Sequence, residues 1–128
     1  MTDAISVAGS GMTMHRKWLD AISDNLANVN TVKATNGPAF QERFVMAQEG
    51  QGTSGVSASA AFGDAAGTLI YEPTHPLADE AGYVRYPDID MAEQMAHLIM
   101  AQRGYQANAA VVDRAKTAYE AALQIGRG

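Results

Sequence analysis

Histidine and carboxylates come close together at one place in the chain, His75, Asp79 and Glu80 in the run Thr74-His75-Pro76-Leu77-Ala78-Asp79-Glu80. Three such ligands would suit a divalent metal. A mononuclear catalytic zinc, however, draws on three protein ligands held rigidly by a surrounding shell of hydrogen bonds, and neither His15 nor His97 has a visible reason to converge here. The stronger reading is a loop with solvated Asp and Glu, in which His75-Pro76 shapes a turn. Gly9-Ser10-Gly11 echoes a phosphate-binding loop, but it follows no strand and lacks both the third glycine and a Gly-Lys-Ser ending. With no cysteine, no Gly-x-Ser-x-Gly elbow and few histidines, nucleophilic and general-base chemistry lack a candidate. The expectation is a protein that is not an enzyme, with no catalytic residue, cofactor, metal or small-molecule substrate.

The elements that would have to position such residues are mostly helical. From Ile5 to Val29 apolar residues fall three and four apart, at Ile5, Ala8, Met12, Leu19, Ile22, Leu26 and Val29, with His15 the polar member of the seam. A helix over 5–30 would be about 40 Å long. Gly9 and Gly11 weaken its start, each by about 1 kcal/mol relative to alanine, so the first turns should order only when the stripe finds a partner. A second stripe over 89–126 carries Met91, Met95, Leu98, Tyr105, Ala109, Val112, Tyr119 and Leu123, interrupted by Gln102 and Lys116. Asp88 or Asp90 can cap its start, and Gly126-Arg127-Gly128 stops it.

Between the helices Asn36-Gly37-Pro38 signals a turn, Phe40–Met46 alternates as a short strand, and 47–68 is rich in Gly, Ser and Ala. Leu69–Tyr71 and Tyr83–Arg85 are two further short strands. The predicted fold is therefore mainly α. Two long terminal helices pack as a coiled-coil-like pair around a small β-rich or partly disordered central insertion, with segments at 1–35, 36–87 and 88–128. The second helix is longer than the first, and apolar residues such as Trp18 and Ile99 lie outside the narrow seam. More than one helical neighbour is required.

Composition narrows the partners. A net charge of −5 with nine scattered Lys and Arg argues against nucleic acid and against an anionic membrane surface. No apolar run approaches a membrane span, and the first residues lack the pattern of a secretory signal. Aromatics make up 7% of the chain, which suits close helix packing better than a thick globular core.

Ser23-Asp24-Asn25-Leu26-Ala27-Asn28-Val29-Asn30-Thr31 resembles the Ser-x-Asn-(Ile/Leu)-Ala-Asn-x-x-Thr signature of bacterial flagellar rod, hook and hook-associated proteins. Gly9-Ser10-Gly11-Met12 with Arg16 is similar to the opening helix of that family, and Arg103-Gly104-Tyr105-Gln106-Ala107-Asn108 to its C-terminal motif, with Gln106 where Glu is usual. The segment from Tyr71 to Val84 looks most like a short, proximal-rod member. Along 55–62, Ser and Ala stand where relatives are richer in Val and Ile.

The resemblance implies an axial protein of the flagellar basal body, outside the cytoplasmic membrane and in the periplasmic space where one exists. It would be exported by the flagellar type III apparatus without a cleavable signal peptide and polymerised with other rod proteins and with copies of itself. The expected assembly interface is Ile5, Met12, Leu19, Ile22, Asn25, Leu26 and Asn28 on the first helix, and Met95, Leu98, Arg103, Tyr105, Asn108, Val112, Tyr119 and Leu123 on the second. Within the Asn25–Thr31 cluster two readings stand together, a helix terminus and amides that pair with a neighbouring subunit's backbone. The competing class is a helical secretion chaperone or adaptor whose stripe docks a client helix.

Overall fold

Three-four apolar spacing at both ends of the chain produces helices at both ends. A computed structural model describes residues 2–127, with α1 at Thr2–Ala27 (26 residues) and α2 at Met91–Arg127 (37 residues). Between them lie β1 (Arg43–Glu49), β2 (Val56–Phe62), β3 (Thr68–Tyr71) and β4 (Tyr83–Tyr86). Helix accounts for about half of the chain, so the mainly helical class with a small central β region stands.

Side chains at the helix ends fix the boundaries. The carboxylate of Asp90 accepts the backbone N–H groups of Ala92 (2.9 Å) and Glu93 (3.3 Å), which makes Asp90 the N-cap of α2. α1 ends at Ala27, earlier than its apolar stripe suggests. There the Asn28 amide donates to the Asp24 carbonyl (2.8 Å) and accepts from the Thr31 hydroxyl (3.0 Å), satisfying groups that the helix leaves open.

β3 and β4 are antiparallel in the register Leu69↔Arg85 and Tyr71↔Tyr83, close to the strands read from sequence. Arg85 also pairs its backbone with Lys33, and its guanidinium donates to the carbonyls of Ala66 and of Thr35. β1 begins and ends three residues later than the expected strand at Phe40–Met46. β2 lies within the Gly/Ser/Ala stretch, where little structure is evident from sequence because Ser and Ala have weak strand preference. The sharp turn before it needs Gly55, whose φ is +76°: a Cβ there would stand 2.1 Å from the Ser10 hydroxyl.

The chain forms two compact units. The first comprises the described residues up to Leu19, Val45–Ser59 and those from Ile99 onward. The second comprises Asp20–Phe44 and Ala60–Leu98.

In the first unit the two helices run antiparallel and meet through an exchange of polar side chains for glycines. A Cβ on Gly11 would lie 2.7 Å from the Asn108 amide, and one on Gly104 would lie 2.2 Å from His15 Nε2. His15 Nδ1 stands 2.8 Å from the Gly11 carbonyl and 3.1 Å from Asn108 Nδ2. Ser10 is likewise structural, since its hydroxyl donates to the Val7 carbonyl and accepts from the Val56 N–H (3.0 Å). The phosphate-loop echo at Gly9-Ser10-Gly11 is thus the interior of a helix.

In the second unit the side chains of Ile22, Val84, Asn25 and Gln94 are fully buried. The core of the chain is made of small residues, Ala8, Ala21, Ala39 and Ala101 with Ile22 and Val84.

Gly9 and Gly104 should therefore respond in opposite directions. Nothing lies within 4 Å of a Cβ added at Gly9, so Gly9→Ala should raise stability by about 1 kcal/mol through helix propensity. Gly104→Ala gains the same propensity but collides with His15, and should lower stability by about 1–2 kcal/mol. Thermal or denaturant unfolding of the two variants checks the pair, and stabilisation by both would contradict the close approach.

Candidate assembly surface

The most deeply buried residues of α2 are small or polar, and many of its large apolar side chains are exposed. Gln94 and Ala101 are buried and Asn108 is half-buried, at a spacing of seven residues along one helix face. Met91, Met95, Ile99, Met100, Val111, Tyr119, Leu123 and Ile125 are all exposed, Ile125 to 82%. The last stretch of the helix, from Lys116 onward, is exposed at every described position. Single exposed apolar residues need no explanation, but a run of them along one helix marks a surface awaiting a partner.

The residues expected at an assembly interface divide into three groups. Met95, Arg103, Tyr119 and Leu123 are exposed. Ile5, Met12, Leu19, Leu26, Asn28, Leu98, Tyr105, Asn108 and Val112 are half-buried, with the Tyr105 hydroxyl 3.5 Å from the Arg16 guanidinium. Ile22 and Asn25 are buried within the chain.

Asn25 makes three hydrogen bonds inside the second unit, using both of its N–H donors. Its amide nitrogen donates to the Arg43 carbonyl (2.9 Å) and to Gln94 Oε1 (3.0 Å), and its oxygen accepts from the Arg43 N–H (2.7 Å). The side chain thus pairs with both backbone groups of the first residue of β1, as a neighbouring strand would. Gln94 passes the chain of bonds on by donating to Glu42 Oε1. The amides of Asn25 and Asn28 therefore serve this chain's own backbone. Sequence reasoning missed Gln94 entirely; its one signal was a polar residue at a position of the α2 face that packs inward.

Glu42 has the price of this network written on its carboxyl, whose pKa is raised mainly by burial and further by the charges of Glu93 and Asp88, against the lowering effect of the Gln94 hydrogen bond. Asp24 and Arg43 form an ion pair beside it at the surface, which contributes little by itself.

The His75, Asp79 and Glu80 segment is a self-bonded turn. His75 Nδ1 accepts the Leu77 N–H (3.0 Å), and Asp79 accepts the Tyr83 N–H and the Thr35 hydroxyl (both 2.9 Å). Those bonds, the Tyr83 one foremost, hold the Asp79 carboxyl below its ordinary pKa. Among the described residues no group of three His, Asp or Glu is placed to hold a metal ion.

Comparisons with known proteins match the helical ends. Residues 5–35 match the family described as Flagella basal body rod protein, and residues 80–125 the family described as Flagellar basal body rod FlgEFG protein C-terminal. Over its whole length the chain is 34% identical to the flagellar basal-body rod protein FlgC of Salmonella typhimurium, covering 99% of this chain and 98% of that protein. It is 31% identical to the FlgC protein of Borreliella burgdorferi, over 98% and 97% of the two chains. With that of Bacillus subtilis it shares 29% identity over 97% of each.

Two measurements test the buried network. Asn25→Leu keeps the volume but strands the Arg43 backbone groups and Gln94, and should cost about 2–4 kcal/mol in unfolding free energy; a loss below about 0.5 kcal/mol would show the bonds to be dispensable. Because the Glu42 carboxyl titrates higher in the folded than in the unfolded chain, it favours folding when protonated, and that contribution is lost as pH rises through the folded pKa. Glu42→Gln retains the acceptor for Gln94, so it should raise the melting temperature at pH 7, with the advantage shrinking towards pH 4. An advantage that grows in acid would reverse the assignment.

Proposed function

We propose, from the premise that this chain belongs to the FlgC family of flagellar basal-body rod proteins, that it polymerises through the outward faces of its terminal helices. It is a structural subunit of the basal-body rod, the shaft on which flagellum assembly and motility depend. The observation that carries the proposed mode of assembly is the row of exposed large apolar side chains along α2, from Met91 to Ile125. In the rod these side chains, with the half-buried Ile5, Met12 and Leu19 of α1, pack against the helices of neighbouring subunits in a coiled-coil-like wall. Each large apolar side chain taken from water into such a wall stabilises it by about 1.5–3 kcal/mol.

Its partners on this reading are copies of itself, other rod proteins and, before assembly, the flagellar type III export apparatus. Its place is the basal body, outside the cytoplasmic membrane. No described helix is long and apolar enough to cross a membrane. Chemistry has no part in the reading: its support is membership in a family of rod proteins and a His75 turn whose polar groups are occupied by neighbouring backbone and by Thr35.

Leu123→Asp places a charge where a helix neighbour is expected and touches nothing in the core, since Leu123 is 50% exposed. The variant should keep the melting temperature of the parent, yet be missing from isolated basal bodies and abolish swarming. A variant that swarms and is incorporated normally would remove the α2 face from the interface. A discrete, stable complex with a single client helix would instead favour an adaptor.

A further inference from the structure

Among the described residues of the second unit, none pairs with the outer edge of β3 in the β3–β4 sheet. Glu72 donates its N–H to the Gly82 carbonyl, and Arg85 faces Lys33 on the far side of β4, so by alternation the N–H and C=O groups of Leu69 and Tyr71 point away from β4. Among the described residues no hydrogen bond reaches those backbone groups. Leu69, Ile70 and Tyr71 are exposed, Tyr71 to 62%, and Tyr71 meets Tyr83 edge-on with ring centroids 5.4 Å apart. Proteins shield such edges with Lys, Pro, bulges or inward-pointing charges, and Thr68–Tyr71 has none of these. An unshielded apolar edge in a two-stranded sheet is suited to receive a further strand.

Charge indicates what covers it. The second unit holds ten carboxylates against three cations, Lys33, Arg43 and Arg85. Two of the three are already engaged, Arg43 with Asp24 and Arg85 with backbone carbonyls. The first unit has the opposite balance, Arg16, Lys17, Arg103, Arg114, Lys116 and Arg127 against four carboxylates. A net seven negative charges and a net two positive ones together give the −5 of the chain. Two β3 edges meeting each other would bring two strongly acidic surfaces together. A head-to-tail contact, which uses two different patches of the same chain and can propagate along a polymer, brings opposite signs together.

We infer that the open edge of β3 is an interface between copies of this chain, covered by the positively charged unit of a neighbouring copy. The inference rests on the reading of the chain as a rod subunit and adds a second contact to that of the terminal helices.

The absence of cysteine leaves the protein free of thiol side reactions, so cross-linking in assembled basal bodies gives a clean test. A photoreactive phenylalanine analogue in place of Tyr71, irradiated in isolated basal bodies, should give a product of twice the chain's mass whose linked peptide maps to the first unit. Glu80→Lys, in the exposed turn joining β3 to β4, should reduce that product at least about threefold, and Leu69→Lys should abolish it without lowering the melting temperature of the free chain. A product with a different protein, a product joining two β3 strands, an unchanged yield in Glu80→Lys, or no product from basal bodies that contain the chain would each overturn the inference. Absence of the chain from basal bodies would instead sink the rod reading on which it rests.

Discussion

Close approach of α1 and α2 through small and polar residues constrains everything else in this molecule. Where the helices meet in the first unit, each offers a glycine to a polar side chain of the other, Gly11 to Asn108 and Gly104 to His15. In the second unit the same two helices are joined by the amides of Asn25 and Gln94. A seam built this way brings the helices close with little bulk between them, with Ile22 the one large aliphatic side chain of the two helices fully buried among the described residues, while Met91, Met95, Ile99 and Met100 of α2 are exposed.

The polar members of the seam confer geometry more than energy. A hydrogen bond contributes a net of about 0.5–1.5 kcal/mol, but a buried amide left without its partner costs more than that. The Asn25 amide, matched to both backbone groups of Arg43, therefore penalises any register in which β1 starts elsewhere on α1. Apolar contacts between alanines could not make that distinction, since one methyl packs much like the next. The raised pKa of Glu42 shows that the network is retained at some expense of stability.

The existence and approximate extent of both helices were legible in the sequence, because a three-four apolar spacing has few alternative readings, whereas the choice of Asp90 over Asp88 as cap and the end of α1 at Ala27 came from the hydrogen bonds of the fold. Which face turned inward was not legible either. Periodicity marks apolar faces without saying whether this chain or another molecule covers them. Met91 and Met95 belong to the apolar stripe and are exposed, while Gln94 between them, which the stripe passes over, is fully buried. Gly11 and Gly104 were similarly opaque: a glycine in a helix signals weakness until the opposing side chain is known. β2 escaped notice because Ser57, Ala58, Ser59 and Ala60 carry almost no strand preference and take their pairing from β1.

Among the described residues the buried hydrophobic side chains are those of four alanines, one isoleucine and one valine, so little large apolar surface is covered within the chain. Met95, Ile99, Met100, Leu123 and Ile125 are exposed instead, and the proposed contacts between subunits would cover them. Among the described residues α2 is exposed at every position from Lys116 onward, and a helical stretch of that length is marginal in water by itself, so packing against a neighbouring subunit, as proposed, would order this stretch as well as cover it.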